Sequence, residues 1–328
     1  MTHTQQKSSQ LLDHTVTVFD IGCRFGIHPT WKPLKNAEFI RYYAFDVDQC
    51  EISRLKKKYN EFANYFPIHC GFSDVEEIAE LNVLSHHGQS SFFKPNLDSL
   101  WYGINRPSDA IIESTKLCPL TTLDKFVLDQ KIKPDFLKVD TEGYDFRILK
   151  GAETLLKTIL AIRCEVSFAE QFEGAETFSY LYNYLTGNGF QLANFEYDGR
   201  GVPVSYFCPN PSRYGFISGG EAVFVKSLIE IRKLSVPQRA KLILFGFFNN
   251  LEDLSHRLLL EVSDEEQNIL KDFPIWSEIE RQYCLSARKL MYIPGDSYNR
   301  AVKDFQNVFQ KKFPEKHHFF ESEFLNPP

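Results

Sequence analysis

The 328-residue chain is short of the features that mark several protein classes. It has two methionines, three tryptophans, and seven scattered cysteines (Cys23, Cys50, Cys70, Cys118, Cys164, Cys208 and Cys284) with no C-x-x-C pair among them. An odd, widely spaced set argues against a zinc site or a redox dithiol and reads as small buried hydrophobes in a reducing compartment. Long apolar runs are missing: the longest, around Leu242 to Phe248, falls far short of a bilayer span, and residues 1–15 lack the apolar core of a secretory leader. No transmembrane segment and a cytoplasmic location are expected. Nor is there a basic excess, since 37 Lys and Arg stand against 43 Asp and Glu for a net charge of −6. Without a positive field a general nucleic-acid binder is not expected.

What is present is core-forming mass. Hydrophobic residues make up 43% of the chain, with 30 Phe and 15 Tyr, which supports one large domain plus an appendage. Strand-like runs at 15–20, 42–45, 65–69, 136–139 and 159–166 alternate with helical patterns at 50–59, 144–157 and 177–188. That alternation predicts an α/β fold built from βαβ units around a mostly parallel sheet. Runs at 191–197 and 222–226, joined by a Gly- and Pro-rich loop, read as an antiparallel pair at the sheet edge. The stretch from about 76 to 116, punctuated by Gly88, Pro95, Gly103 and Pro107, is expected to be irregular and substrate-facing. Past Lys226, Ser235-x-x-Gln238 and Ser263-x-x-Glu266 mark helix starts. The expected organisation is a tail over 1–14, an α/β domain over 15–226 and a helical region over 227–328. Amphipathic helices there must bury their apolar stripes, a homodimer contact being one way to do so.

The first strand runs into FDIGCRFG, with Asp20 at its end and Gly22 and Gly26 in the turn. A dinucleotide-binding G-x-G-x-x-G would need glycines at 24 and 27, where Arg24 and Ile27 stand, so NAD is disfavoured. D-x-G-x-x-x-G suits a nucleoside cofactor without a pyrophosphate. Asp46, ending the second strand, is placed to accept hydrogen bonds from two ribose hydroxyls. Ser73 and Asp74, after the third strand, are candidates to reach an adenine amino group, with a helix N-cap the competing role for Asp74. Asp140, Glu142 and Glu165 follow the fourth strand or end the fifth, so a doubly wound sheet brings all three to its carboxyl edge, where ligands bind. Carboxylates there can take a proton from a hydroxyl, or hold a magnesium ion that acidifies it. His28 and the pair His86-His87 are competing bases.

The set FDIGCRFG, YAFDVD, Gly71-Phe-Ser-Asp74, Thr122-Leu-Asp124 and FLKVDTEGYDFRILKGA (Phe136 to Ala152) resembles the FkbM family of S-adenosylmethionine-dependent methyltransferases. The resemblance covers about Val16 to Lys226. It implies a Rossmann-like, class I methyltransferase sheet of seven strands and O-methylation of a hydroxyl on a glycan or other polyhydroxyl small molecule. It also implies that Asp20, Gly22 and Gly26 line the methionine half of the cofactor and Asp46 the ribose. Where the family often has Glu-Pro after the second strand, this chain has Asp46-Val47. Two further readings stay open: a non-catalytic binding or assembly module on the same fold, and a methyltransferase of protein or nucleic acid. No N-P-P-[YF] follows the fourth strand, where a base-amine methyltransferase usually carries it.

Overall fold

Strand β1 (Val16–Ile21) is buried at every position, which its run of Val, Phe and Ile permits only at the centre of a sheet covered on both faces. The structure is a computed structural model that describes residues 14–196, 218–290, 307–308 and 310–313. In it β1 lies between β2 (Ile40–Asp46) and β7 (Phe136–Val139), parallel to both, with Val16 opposite Ile40 and Val18 opposite Phe136. Outward from these, β3 (Tyr65–His69) extends the sheet on one side and β8 (Ala161–Ser167) on the other, again in parallel. Next to β8 runs β10 (Gly219–Lys226), antiparallel to it and to the edge strand β9 (Phe190–Glu196). The order β3-β2-β1-β7-β8-β10-β9, with a single reversed strand inserted before the edge, is the class I methyltransferase arrangement. The parallel strands all deliver their carboxyl ends to one rim.

The segment expected to be irregular departs from that expectation. It contains β5 (Glu77–Leu84) and β6 (Ile112–Thr121), paired antiparallel, with β4 (Gly71–Phe72) alongside β6 in a separate three-stranded sheet. Two features hid it. Ile78 and Leu117 point outward, 71% and 73% exposed, which blurs the two-residue period. Gly88, Pro95, Gly103 and Pro107 read as breakers, yet all four fall in the connection between β5 and β6 and leave both strands uninterrupted.

Among the described residues, four helices of six residues or more cover the main sheet. Helix α1 (Gln49–Lys58) starts at Asp48, whose side chain accepts from Cys50 N at 3.0 Å, and buries Ile52 and Leu55. Helix α2 (Leu123–Gln130) starts at Thr122, which caps Lys125 N at 3.1 Å. Its Asp124 accepts from the backbone of Thr154 and Leu155 at 2.7 and 2.8 Å, so the Thr-Leu-Asp motif ties two distant turns. Helix α3 (Asp145–Lys150) stops short of the expected 157, because at Gly151 the chain passes so close to Ser73 that a Cβ would sit 2.1 Å from its carbonyl oxygen. Helix α4 (Phe178–Gly187) completes the set. Between sheet and helices, Phe19, Phe45, Phe72 and Phe126 meet edge to face, with ring centroids 4.9–6.1 Å apart.

Two compact units are separable, Val16–Arg232 and a second containing Lys233–Pro328 with Met1–Thr15. Within the second, helices cover Val236–Phe248, Glu252–Glu261, Asp264–Leu270 and Pro274–Leu290. Ser263 and Glu266 form the reciprocal cap, Glu266 N donating to Ser263 Oγ at 3.2 Å and Ser263 N to Glu266 Oε2 at 2.9 Å. His14 stacks on Phe273 at 3.3 Å between ring centroids; the rest of the expected tail lies outside the described residues, as does the loop between β9 and β10. Among the described residues no helix is long and apolar enough to cross a membrane.

Gly22 is the most constrained point of the sheet domain. Its φ is +80°, and a Cβ there would lie 1.8 Å from the Asp140 carbonyl oxygen. Gly22→Ala should therefore cost at least about 2 kcal/mol, from the left-handed backbone together with forced separation of two chain segments. Denaturant unfolding of the purified variant measures this, and a loss below about 0.5 kcal/mol would contradict the geometry.

Candidate active site

The rim where β1, β2 and β7 end opens into a cavity of about 470 Å³. Gly22, Asp46, Gly71 and Phe72 line one part of it, and Asp140, Thr141, Glu142 and Tyr144 another, with His87, Ser90 and Phe92 from the β5–β6 connection. Gly22 lines this space with bare backbone. Asp46 offers a carboxylate: Oδ1 accepts from Asp48 N at 2.8 Å, and burial pushes the group up to about 6. Arg24, from the same glycine turn, faces Asp48 at 3.4 Å.

Behind the cavity wall lies a buried chain of charges. Lys138, in the middle of β7 and 6% exposed, places Nζ 3.2 Å from Asp20 Oδ1, 3.0 Å from Asp140 Oδ2 and 3.4 Å from the Gly22 carbonyl. Burial alone would lower the lysine's proton affinity, but Asp140 and Asp20 overcome it and raise it. The Tyr42 hydroxyl donates to the other oxygen of Asp20. Asp20, with no exposed surface, is thus spent on Lys138 and Tyr42 and does not line the cavity, unlike its expected place beside the cofactor. Gly26 has φ +92° and abuts the Tyr59 ring, also away from the cavity. Ser73 and Asp74 are elsewhere too. Ser73 Oγ donates to Glu77 at 2.7 Å and lies 3.2 Å from the Tyr144 hydroxyl, while Asp74 pairs with Lys150 at 3.1 Å and Arg147 at 3.5 Å. Cys70, Gly71 and Phe72, just upstream, line the cavity instead.

The turn after β7 is strained where its chemistry sits. Glu142 has φ +56° and Gly143 φ +87°, an uncommon state for a residue with a side chain. Two hydrogen bonds hold it: Ser91 Oγ donates to the Glu142 carbonyl at 2.7 Å, and Thr141 Oγ1 to Asp145 Oδ2 at 3.1 Å. The turn brings oxygens of Asp140, Glu142 and Glu165 within 4.8 Å of one another, a group able to hold a metal ion. Burial, then the mutual charge of the carboxylates, pushes Glu142 and Glu165 well above the usual range. Asp145, next along, is pushed up to about 7 by the same causes. Asp140 differs in having Lys138 against it.

The histidines separate. His28 accepts from Thr30 N at 3.3 Å through Nδ1 and faces Glu221 at 3.5 Å through Nε2, so both ring nitrogens are engaged away from the cavity. His87, not His86, lines it, 3.4 Å from Glu113. Lys138 is the functional residue that motif reading passed over; a lysine inside the otherwise apolar strand FLKV was the available signal, since a buried ammonium demands a carboxylate partner.

Residues 34–192 match the family model described as the methyltransferase FkbM domain. No curated protein matches the chain. Solved structures with similar chain paths include an rRNA methylase from Streptococcus thermophilus (11% identity, 69% of this chain and 98% of that one, TM-score 0.33). Others are a SAM-dependent methyltransferase from Aquifex aeolicus (10%, 69% and 90%, 0.34) and the N-methyltransferase NodS from Bradyrhizobium japonicum with S-adenosyl-l-homocysteine (10%, 68% and 86%, 0.33). With the strand order and the glycine turn in agreement, the chain carries a methyltransferase FkbM domain over residues 34–192 and is an S-adenosylmethionine-dependent methyltransferase.

Proposed function

We infer that the protein transfers a methyl group to a hydroxyl of a glycan or other polyhydroxyl metabolite, with Asp140 as the proton acceptor. The observation that carries this reading is the Asp140 carboxylate on the cavity wall, 3.0 Å from Lys138 and grouped with Glu142 and Glu165. An alcohol must lose its proton as the new bond forms, and a positioned carboxylate can take it. Glu142 and Glu165 are pushed up by burial and by neighbouring carboxylates, which favours the neutral form that can donate as well as accept, as suits an acceptor bearing several hydroxyls. Bound S-adenosylmethionine supplies an electrophilic methyl on a sulfonium. The cavity volume, the open backbone of Gly22 and the Asp46 carboxylate fit a nucleoside cofactor of that kind. Ser90, His87 and Phe92 stand over the acceptor side. Magnesium enters no step of this reading. The net charge of −6 and the acidic acceptor side disfavour a polyanionic acceptor such as RNA.

Two expected outcomes test it. Replacing Asp46 by Ala should weaken S-adenosylhomocysteine binding at least about tenfold, because two charge-assisted hydrogen bonds are lost. Since Asp46 is pushed up to about 6, native affinity should fall as pH drops below that value and the carboxylate takes a proton, and this limb should vanish in Asp46→Ala. For folding alone the sign is opposite: the native state binds the Asp46 proton more tightly, so this group's contribution to stability weakens as pH rises from about 4 to 6. Calorimetric titration from pH 5 to 8 reads both, and unchanged binding by Asp46→Ala would remove Asp46 from the cofactor site. The second outcome concerns Asp140→Asn, which should lower methyl incorporation into a responding glycan by about 10² to 10⁴ with cofactor affinity nearly unchanged. Transfer of labelled methyl to a glycan panel measures it; near-native turnover would return Asp140 to a structural role.

A further inference from the structure

Ser73 and Asp74, the residues expected to reach the base of the cofactor, are engaged away from the cavity. A contact to the base has to come from another part of the chain, and the strand order shows where. Along the rim stand β7, β1, β2 and β3 in turn, with Asp140 after β7, Gly22 after β1 and Asp46 ending β2. With the ribose on Asp46 and the methionine half toward Gly22, the base is carried past Asp46 to the end of β3. There Cys70, Gly71 and Phe72 line the cavity.

The smaller sheet covers this end. Successive side chains of a strand alternate between its faces. Ile78 and Leu117 point outward, so Leu81 and Val83 of β5 and Lys116 of β6 point the other way, and all three line the cavity. Leu81 and Lys116 stand opposite each other in the ladder. Burial raises the Cys118 thiol, with Lys116 opposing the shift and Asp46 and Asp48 adding to it, so these three charges gather on one side of the cavity. The other basic side chains of the cavity, Arg24, Arg54 and His87, face Asp48, Glu51 and Glu113. Among the described residues Lys116 has no such partner. Val47, Phe72, Leu81 and Val83 make the walls at this end apolar. In an apolar pocket a single placed donor is enough to orient a flat heteroaromatic ring.

We propose that Lys116 reads the adenine of the cofactor, donating from the smaller sheet to an unprotonated ring nitrogen, an assignment that rests on Asp46 holding the ribose. An ammonium carries three donors and no acceptor, so it suits the ring nitrogens and not the exocyclic amine. The β5–β6 sheet then belongs to the cofactor site.

The test is calorimetric titration of the full chain with S-adenosylhomocysteine and with its 1-deaza, 3-deaza and 7-deaza analogues, each lacking one ring nitrogen. The native protein is compared with Lys116→Met, which keeps the apolar stem at an exposed strand position. Losing one charge-assisted hydrogen bond, Lys116→Met should bind S-adenosylhomocysteine about tenfold more weakly. One of the three analogues should show a similar loss on the native chain and no further loss on Lys116→Met, since the variant has nothing to donate to that nitrogen. Affinity of Lys116→Met within twofold of native would overturn the proposal. So would analogue losses that are the same in variant and native chain, which would give the nitrogen to another donor. Asp46→Ala keeps the two assignments apart. If it leaves binding unchanged while the Lys116-dependent loss persists, the ribose contact fails and the base contact stands; if it weakens all four ligands alike and that loss is absent, only the base contact fails.

Discussion

The buried ammonium of Lys138 is the interaction on which the rest of the site depends. It sits between Asp20 and Asp140 and reaches the Gly22 carbonyl, so one charge joins the turns that follow β1 and β7. Removing it would strand the Asp20 carboxylate out of water, a far larger penalty than the pair's net contribution to stability. The close contact of Gly22 with the Asp140 carbonyl follows from the same juxtaposition, since turns held this tightly leave no room for a side chain between them. Tyr42 closes the arrangement by donating to Asp20 from β2. The first, second and fourth strands of the parallel sheet are thereby joined through Asp20, and the cavity lies at the rim next to that link.

Around this fixed point the carboxylates divide by environment. Asp140 has a cation at 3.0 Å; Glu142, Glu165 and Asp145 face mainly one another and apolar walls, and burial with mutual repulsion raises all three. Identical carboxyl groups thus stand in different surroundings, Asp140 beside a cation and the other three buried mainly against one another. The left-handed Glu142 is the local cost of aiming these groups, and Ser91 and Thr141 supply the bonds that sustain it.

The smaller sheet explains how the cavity acquires its outer wall. β5 and β6 lie beyond the carboxyl rim of the main sheet, and their connection carries His87, Ser90 and Phe92 to the cavity and Ser91 to the acidic turn. A ladder of backbone bonds, in place of an irregular loop, makes that wall an ordered surface. Its outward face keeps Ile78 and Leu117 exposed.

By itself the sequence determined the α/β alternation, the glycine turn, the acid ending the second strand and the acidic turn after the fourth. Each is imposed by short-range demands: a two-residue or helical period, a positive φ at Gly22, a strand that must end at a rim. Asp46 and Asp140 lie on the cavity because strand ends in a parallel sheet have nowhere else to go. Side-chain direction was settled only by tertiary structure. Asp20 turned inward because Lys138, 118 residues later, needed a second carboxylate; Asp74 turned to Lys150 and Arg147 on α3. The β5–β6 sheet has only a weak local signature because its pairing spans a long connection that holds the glycines and prolines and because Ile78 faces outward. The place of Lys116 on the cavity wall has no signature in the chain at all, since the end of β3 and the smaller sheet meet there only through packing, and burial acts on atoms that folding brings together.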